Sequence, residues 1–464
     1  MAQPTRALAP AEAPTTLLDA LARAPAAAAL VVGALRKADR KALRLAHPQL
    51  CDAVGEATNR LEALFEVDDA PARPPTPRRW PRLEELNILC PDSAGLEALG
   101  SGTWGRLRLV QVRRICTSSA FDAHRARALA AALRRMPALR ALELRDVVLS
   151  DNAAAALFCA SSAEAAPQMR ALTVASSEIT PAAARLLAAS GWRLEELDLL
   201  GNFTLGAAGL APLLAAPTFA LRRLDLAICG LDASALLCIA GAPGPLEELD
   251  LSGNDFSAAA AAPALAALSR RVRLRCLAVD DCFKAAGFKA LVEASWPALT
   301  SLRAQAAEAA FDGPHALGSA AFAGFPALEE LKLTGVKLGE AGARVLASRR
   351  WARLRCLHLD HTALGAAGVA ALARGEWPAL EELDLSWVEF REAGAAMLAS
   401  RCWPRLERLV LVGANLGDAG LAALARGAWP ALARLNLRYN NLCAQLALED
   451  ARRWAPALVE LVLY

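Results

Sequence analysis

The chain has 464 residues, more than one compact hydrophobic core usually holds, so either several domains or a repeat array is expected. Its 55% hydrophobic content is too high for a disordered chain, and 51 basic against 48 acidic residues, a net +3, give no electrostatic support for a nucleic-acid partner. The best apolar run, Ala26 to Leu35, is about half of the ~20 residues a bilayer span needs, so no membrane partner is expected.

In chain order, residues 1–67 come first, with Glu12 and Asp19 ahead of the apolar run and Pro10, Pro14 and Pro25 interrupting its approach, which argues against a cleaved targeting segment. A helical pattern then runs through Leu35, Asp39, Leu43, Leu45, Leu50 and Val54, followed by Leu61, Leu64 and Phe65. It reads as a helical cap sealing the first repeat. The stretch from Leu35 to Leu50 also resembles the later half of an F-box, although the usual Leu-Pro start is missing and Leu50 stands where that family has an aromatic. The resemblance implies that Leu35, Asp39, Leu43, Leu45 and Leu50 dock to the adaptor of a cullin-RING ubiquitin ligase. Residues 68–79, with four prolines among them, read as a stiff linker.

Residues 80–464 repeat. The pattern LxxLxL recurs with its leading residue at Leu83, Leu107, Leu139, Met169, Leu194, Leu221, Leu246, Leu274, Leu299, Leu328, Leu354, Leu380, Leu406, Leu432 and Leu458. The steps run from 24 to 32 residues and settle at 26 from Leu328 onward. Nine of the ten tryptophans open a unit, the exception being Trp387. Counting the leading residue as position one, position nine is Asn202, Asn254 or Asn440 in three units and Cys229 or Cys282 in two, and it is expected to bond the backbone of the bend from coil to coil. Position eleven is an apolar plug (Leu231, Phe256, Leu338, Leu364, Phe390, Leu416 or Leu442), and an Ala-Gly step then leads into an Ala-rich helix, where it is expected to let neighbouring helices lie close. Units two to four carry Ile115, Val147 and Ser177 at position nine and are expected to be distorted. The last unit stops at Tyr464, directly after its strand, which would leave an apolar edge.

This arrangement resembles the leucine-rich-repeat family, in the subgroup with a full helix per repeat, like ribonuclease inhibitor. The stretch Gly342-Ala343-Arg344-Val345-Leu346-Ala347 also looks like the plant and bacterial F-box repeat proteins. The resemblance implies an α/β solenoid of about 15 units, with a curved parallel sheet on the concave face and helices on the convex one. Each coil has no hydrophobic interior of its own, so stacking supplies the core.

Chemistry is hard to find. No phosphate-loop, HExxH or GxSxG motif occurs, and the one GxGxxG string, starting at Gly100, precedes a strand where a dinucleotide site needs to follow one. Paired carboxylates such as Glu195, Glu196 and Asp198 recur from unit to unit, which marks them as repeat features. Of five histidines only His358 and His361 are close, with Cys356 and Asp360 beside them. Alternation puts Cys356, His358 and Asp360 on one face, but the spacing matches no established zinc pattern and reads as a solvated recognition surface. No enzyme, metal or cofactor is expected. The eleven cysteines are dispersed, odd in number and without a CxxC pair, so a reduced cytoplasmic or nuclear protein is expected.

Positions three, five, seven and eight face the concave side. Units five to seven place Glu196, Asp198, Arg223, Asp225, Glu248 and Asp250 there, mainly acidic. Units nine and ten place Arg303, Glu330 and Lys332. The next two place His358, Asp360, His361, Glu382, Asp384 and Trp387, and the following two Arg408, Arg434, Arg438 and Tyr439. Aromatic and Arg side chains are the usual anchors of an interface. The expected function is a protein-interaction module gripping a partner on this face, in finer terms a ligase substrate receptor, or alternatively a regulator that wraps a target enzyme. The strongest patch is expected around Trp387, His361, Arg438 and Tyr439.

Overall fold

The computed structural model describes residues 60–64, 77, 82–89, 93–113, 121–158, 168–256, 260–271, 273–305, 317–443 and 448–463. Leu35, Asp39, Leu43, Leu45 and Leu50, the 68–79 linker apart from Pro77, Ile115 and Tyr464 lie outside them. The chain folds as two units, the first comprising 1–147, 152–171 and 190–192, the second 148–151, 172–189 and 193–464.

In the first unit, strands β1 (Arg60–Leu64), β2 (Glu85–Leu89), β3 (Leu109–Arg113) and β4 (Ala141–Arg145) pair in parallel, each with its neighbour in the chain. β1 corrects one expectation: Leu61 and Leu64 fit a helical spacing, yet Leu61 and Ala63 alternate with Arg60 and Glu62, and pairing to β2 over five residues selects the strand. Leu86, Ile88, Val110, Val112, Leu142 and Leu144 point into the core, and Phe158 meets Trp192 edge to face at 5.6 Å. The helix Ala123–Leu133 is capped by Asp122, whose carboxylate accepts from the backbone N–H groups of His124 and Arg125.

The second unit is a regular leucine-rich-repeat array. β5 (Ala171–Ala175) is followed by three-residue strands: β6 (Glu196–Asp198), β7 (Arg223–Asp225), β8 (Glu248–Asp250), β9 (Cys276–Ala278), β10 (Ser301–Arg303), β11 (Glu330–Lys332), β12 (Cys356–His358), β13 (Glu382–Asp384), β14 (Arg408–Val410), β15 (Arg434–Asn436) and β16 (Glu460–Val462). From β6 onward each pairs in parallel with the next, position three opposite position three. Leu383, Leu385, Leu409 and Leu411 are at most 2% exposed, as the repeat requires.

Three devices tie coil to coil. The first is the position-nine ladder. Asn254 Nδ2 donates to the carbonyls of Leu226 and Leu251, while its Oδ1 accepts from the N–H groups of Cys229 and Leu231, so one buried amide satisfies four backbone groups across two coils. Asn202 does the same with Val174, Leu199, Ser177 and Ile179, and the thiols of Cys229 and Cys282 donate to the carbonyls of Leu199 and Leu251. The second device explains the tryptophans: the indoles of Trp104, Trp296, Trp351, Trp377, Trp403 and Trp429 each donate to a carbonyl five residues earlier, in the last turn of the preceding helix, at 2.8–3.0 Å. Helix ends leave such carbonyls without intrahelical partners. The third is an arginine after the helix. Arg271 donates to the carbonyls of Ile239, Ala242 and Gly244 one coil back, and Arg401 to those of Ala373 and Gly375.

The Ala-Gly step works differently from expectation. A Cβ at Gly342, Gly394 or Gly420 would fall 2.9, 2.5 or 2.9 Å from the plug side chain of Leu338, Phe390 or Leu416 four residues earlier. The glycine therefore makes room for its own coil's plug, and packing between helices comes second.

Asn254→Ala leaves the buried N–H groups of Cys229 and Leu231 unpaired and is expected to cost about 2–4 kcal/mol in urea unfolding. Burial pushes the thiols of Cys229 and Cys282 up to about 12. A thiol reagent at pH 8 is expected to label the exposed Cys402 and Cys443 in the native chain while leaving Cys229 and Cys282 untouched, as mass spectrometry of the digested protein would show.

Candidate binding face

In the second unit, positions three and five flank a buried leucine and look out from the sheet. Every predicted face residue is exposed or half-buried: Glu196, Arg223, Glu248, Arg303, His361, Trp387, Arg408, Arg434, Arg438 and Tyr439 are exposed, and Asp198, Asp225, Asp250, Lys332, His358, Asp360, Glu382 and Asp384 are half-buried.

The charges are largely occupied with one another. Arg223 lies 3.6 Å from Glu248, and Arg303 reaches Asp250 at 2.9 Å and Asp280 at 2.6 Å, so the acidic region is partly neutralised by its own arginines. Lys332 pairs with Glu330 at 2.5 Å, Arg408 lies 3.8 Å from Glu382, and Arg434 lies 3.7 Å from Glu460. Asp360 accepts from the Thr334 hydroxyl at 3.0 Å.

Position five also has a backbone duty that the sequence reading missed. The carboxylates of Asp198, Asp225, Asp250 and Asp384 accept from the N–H two residues on, at Leu200, Ala227, Ser252 and Ser386, forming Asx turns that start the bend. Asp198, Asp225 and Asp250 stand in one cross-strand row. Desolvation by burial, opposed by the Ala227 N–H and reinforced by the flanking Asp198 and Asp250, raises the Asp225 carboxyl from 3.8 to about 6.

Position eight is the most informative. In all eleven units whose position-eight residue the structure describes after β3, it has positive φ: Asp146, Ser176, Gly201, Ile228, Gly253, Asp281, Gly335, His361, Trp387, Gly413 and Tyr439, from 49° to 77°. The stacking imposes this conformation, because the position-eight N–H donates to a carbonyl of the next coil, as from Trp387 to Val412 and from Gly413 to Arg438. Four units supply glycine, and Asp or Ser, which tolerate the left-handed region better than bulky side chains, fill three more. The other four are His361, of a type that visits this region more readily, and Ile228, Trp387 and Tyr439, which do not suit it. Each of the last three bears a left-handed strain of about 1–2 kcal/mol.

Three of these four form a stack. The His361 and Trp387 rings lie 5.7 Å apart at 15°, and the Trp387 and Tyr439 rings 6.0 Å apart at 25°. The unit between Trp387 and Tyr439 supplies Gly413, and a Cβ there would fall 2.5 Å from Cε3 of Trp387. The indole thus lies across the glycine to reach the tyrosine one coil farther on. Trp387 is 48% and Tyr439 67% exposed, among the few large apolar side chains open to water. Arg438 precedes Tyr439 on the same bend. The predicted patch of Trp387, His361 and Tyr439 is therefore one continuous aromatic strip; Ile228 is a strained, exposed position that sequence reasoning missed. The glycines at position eight were the available signal, since they mark a backbone that asks for no side chain.

No protein-family model and no curated protein matches the sequence. Among solved structures, one similar to it is the complex of Rad7 and Elc1 in yeast, at 16% identity and a TM-score of 0.43, covering 76% of this chain and 80% of that one. Another is an internalin (inlF) from Listeria monocytogenes, at 15% identity and a TM-score of 0.38, covering 87% of this chain and 92% of that one. Among the described residues no helix is long and apolar enough to cross a membrane.

The raised Asp225 carboxyl fixes the sign of a pH effect. Its folded state holds the proton to about 6, above the unfolded value near 3.8, so stability is gained as pH falls through that window and lost as it rises. Asp225→Asn is expected to raise the melting temperature at pH 7.5, with the gain shrinking by pH 4.5. An unchanged difference between the two pH values would contradict the assignment.

Proposed function

We propose that the chain is a non-enzymatic protein-interaction module, and that its second unit seats a protein partner on the open sheet face around His361, Trp387, Arg438 and Tyr439. One observation carries this reading: bulky aromatic side chains occupy a left-handed backbone position that other coils give to glycine. The backbone at that position favours glycine, and strain held at exposed residues is a mark of a site. Aromatic and Arg side chains make the usual interface anchors, and the mixed charge of the remaining face suits a protein better than a polyanion. An open sheet face excludes little water, which a catalytic centre needs to do.

In finer terms, we propose that the partner is a substrate delivered to a cullin-RING ubiquitin ligase, with Leu35, Asp39, Leu43, Leu45 and Leu50 docking the adaptor. The sequence resemblance alone supports this step. It requires that the full chain co-purify with a cullin adaptor and that Leu43→Asp abolish the association; retention by the variant would count against it.

The binding face is tested separately. Trp387→Asn puts a residue tolerant of positive φ in place of the indole, so strain relief offsets the lost ring contacts and stability is expected to change by no more than ~1 kcal/mol. Affinity for the partner is expected to fall by ~2 kcal/mol or more, about 30-fold. Gly413→Ala displaces the ring without deleting it and is expected to weaken the same partner. The measurement is affinity purification of the wild-type and variant chains with mass spectrometry, followed by titration of whatever the wild type alone retains. An enzyme inhibited by the wild type alone would identify a regulator; partners retained equally by all three chains would overturn the proposed face.

A further inference from the structure

On the coil that carries His361, three coils before Tyr439, the same face carries a different chemistry. Cys356 and His358, at positions three and five of their coil, lie on β12, and Glu382, at position three of the next, lies on β13 directly opposite Cys356 in the parallel register. The thiol sulfur, an imidazole nitrogen and a carboxylate oxygen of these three residues all lie within 4.8 Å of one another. His358 Nε2 is 3.0 Å from Glu382 Oε1.

We propose that Cys356, His358 and Glu382 form a three-ligand zinc site on the sheet face, with its fourth position open to solvent. The donor set is one that Zn(II) accepts, and three protein ligands with one open position is an arrangement that zinc adopts. In a tetrahedron with bonds of about 2.0–2.3 Å the ligand atoms stand roughly 3.3–3.8 Å apart. The His358–Glu382 pair already approaches that separation, and the remaining adjustment lies within the reach of side-chain rotation at Cys356. The backbone beneath is fixed: the Cys356 N–H donates to the Glu329 carbonyl at 3.0 Å and the Glu382 N–H to the Arg355 carbonyl at 2.8 Å, while Leu357 and Leu383 anchor the two strands in the core. Ligands on paired strands are placed more rigidly than ligands on loops.

Charge around the three is mixed. Burial holds the Cys356 thiol up, to about 12, with Glu382, Glu330 and Asp384 adding to the effect and Lys332, opposite His358 on β11, opposing it. Zinc therefore enters as the thiol gives its proton to solvent, and the metal replaces the hydrogen bond between His358 and Glu382. Arg408, 3.8 Å from Glu382, is the cation it must outcompete. Asp360 is not a ligand, since it is engaged by Thr334 on the preceding coil. The three ligands include no residue of the aromatic strip.

The test uses the full chain, stripped with a chelator and titrated with Zn(II) against a chromophoric competitor. The expected result is one equivalent bound with micromolar or tighter affinity, falling at least ~10-fold in each of Cys356→Ser, His358→Gln and Glu382→Gln. Zinc is expected to raise the melting temperature of the wild type and not of Glu382→Gln, a conservative change on the solvent side that leaves the core intact. With Co(II) in place of zinc, a near-ultraviolet thiolate-to-metal absorption is expected in the wild type and in Cys402→Ser/Cys443→Ser, and lost in Cys356→Ser. Equal zinc affinity in the wild type and all three ligand variants, or no zinc bound at micromolar concentration, overturns the proposal.

Discussion

The bend that follows each short strand has polar backbone groups that the coil cannot satisfy alone. The position-nine side chain and the next coil's carbonyls complete them, as Asn254 does for Cys229 and Leu231 and as Val412 does for Trp387. Once that neighbour is required, register is fixed, the inward leucines fall into one column, and positions three, five, seven and eight become continuous rows. Every candidate site described above is a row or a diagonal on that lattice. His361, Trp387 and Tyr439 share position eight, while Cys356 and Glu382 share position three.

The lattice also sorts strain from comfort. Position eight is left-handed because stacking makes it so, and a glycine there costs least. The array holds both answers side by side, Gly413 between Trp387 and Tyr439, and the glycine leaves the space across which the indole lies. Strain at Trp387 and smallness at Gly413 are thus two halves of one arrangement. Val336, Val388 and Ala414 at position nine bring no polar side chain to the ladder; Trp351, Trp403 and Trp429 bond the helix ends of those coils, and Arg349 and Arg401 tie the first two to the coil before.

Most of the fold was legible because its cause is local. Leucines at fixed intervals bury themselves, and Leu383 and Leu409 lie where the pattern puts them. What escaped depends on more than one coil. Leu61 and Leu64 fit a helix as well as a strand, and only pairing with β2 decides. Asp198 and its successors read as contact residues, although each first closes its own bend. Cys356 and His358 were seen together, but with Asp360 as the supposed third group; Glu382 is 24 residues from His358 in sequence and comes beside it only through the parallel register. The positive φ at position eight was hinted at by Gly201, Gly253, Gly335 and Gly413, a recurrence easily lost among 29 glycines.

The tethers between coils have a direction. Asn202, Asn254, Arg271 and Arg401 all reach toward the coil that precedes them in the chain. A ribosome delivers these clasps late: each newly made turn waits, with buried amides and carbonyls unmet, until about two dozen further residues emerge to fasten it. Growth of the array during translation is therefore a ratchet in which every coil is locked by its younger neighbour. Cutting the array from its carboxyl side unfastens the coil left behind, whereas trimming from the amino side removes coils whose clasps lie elsewhere.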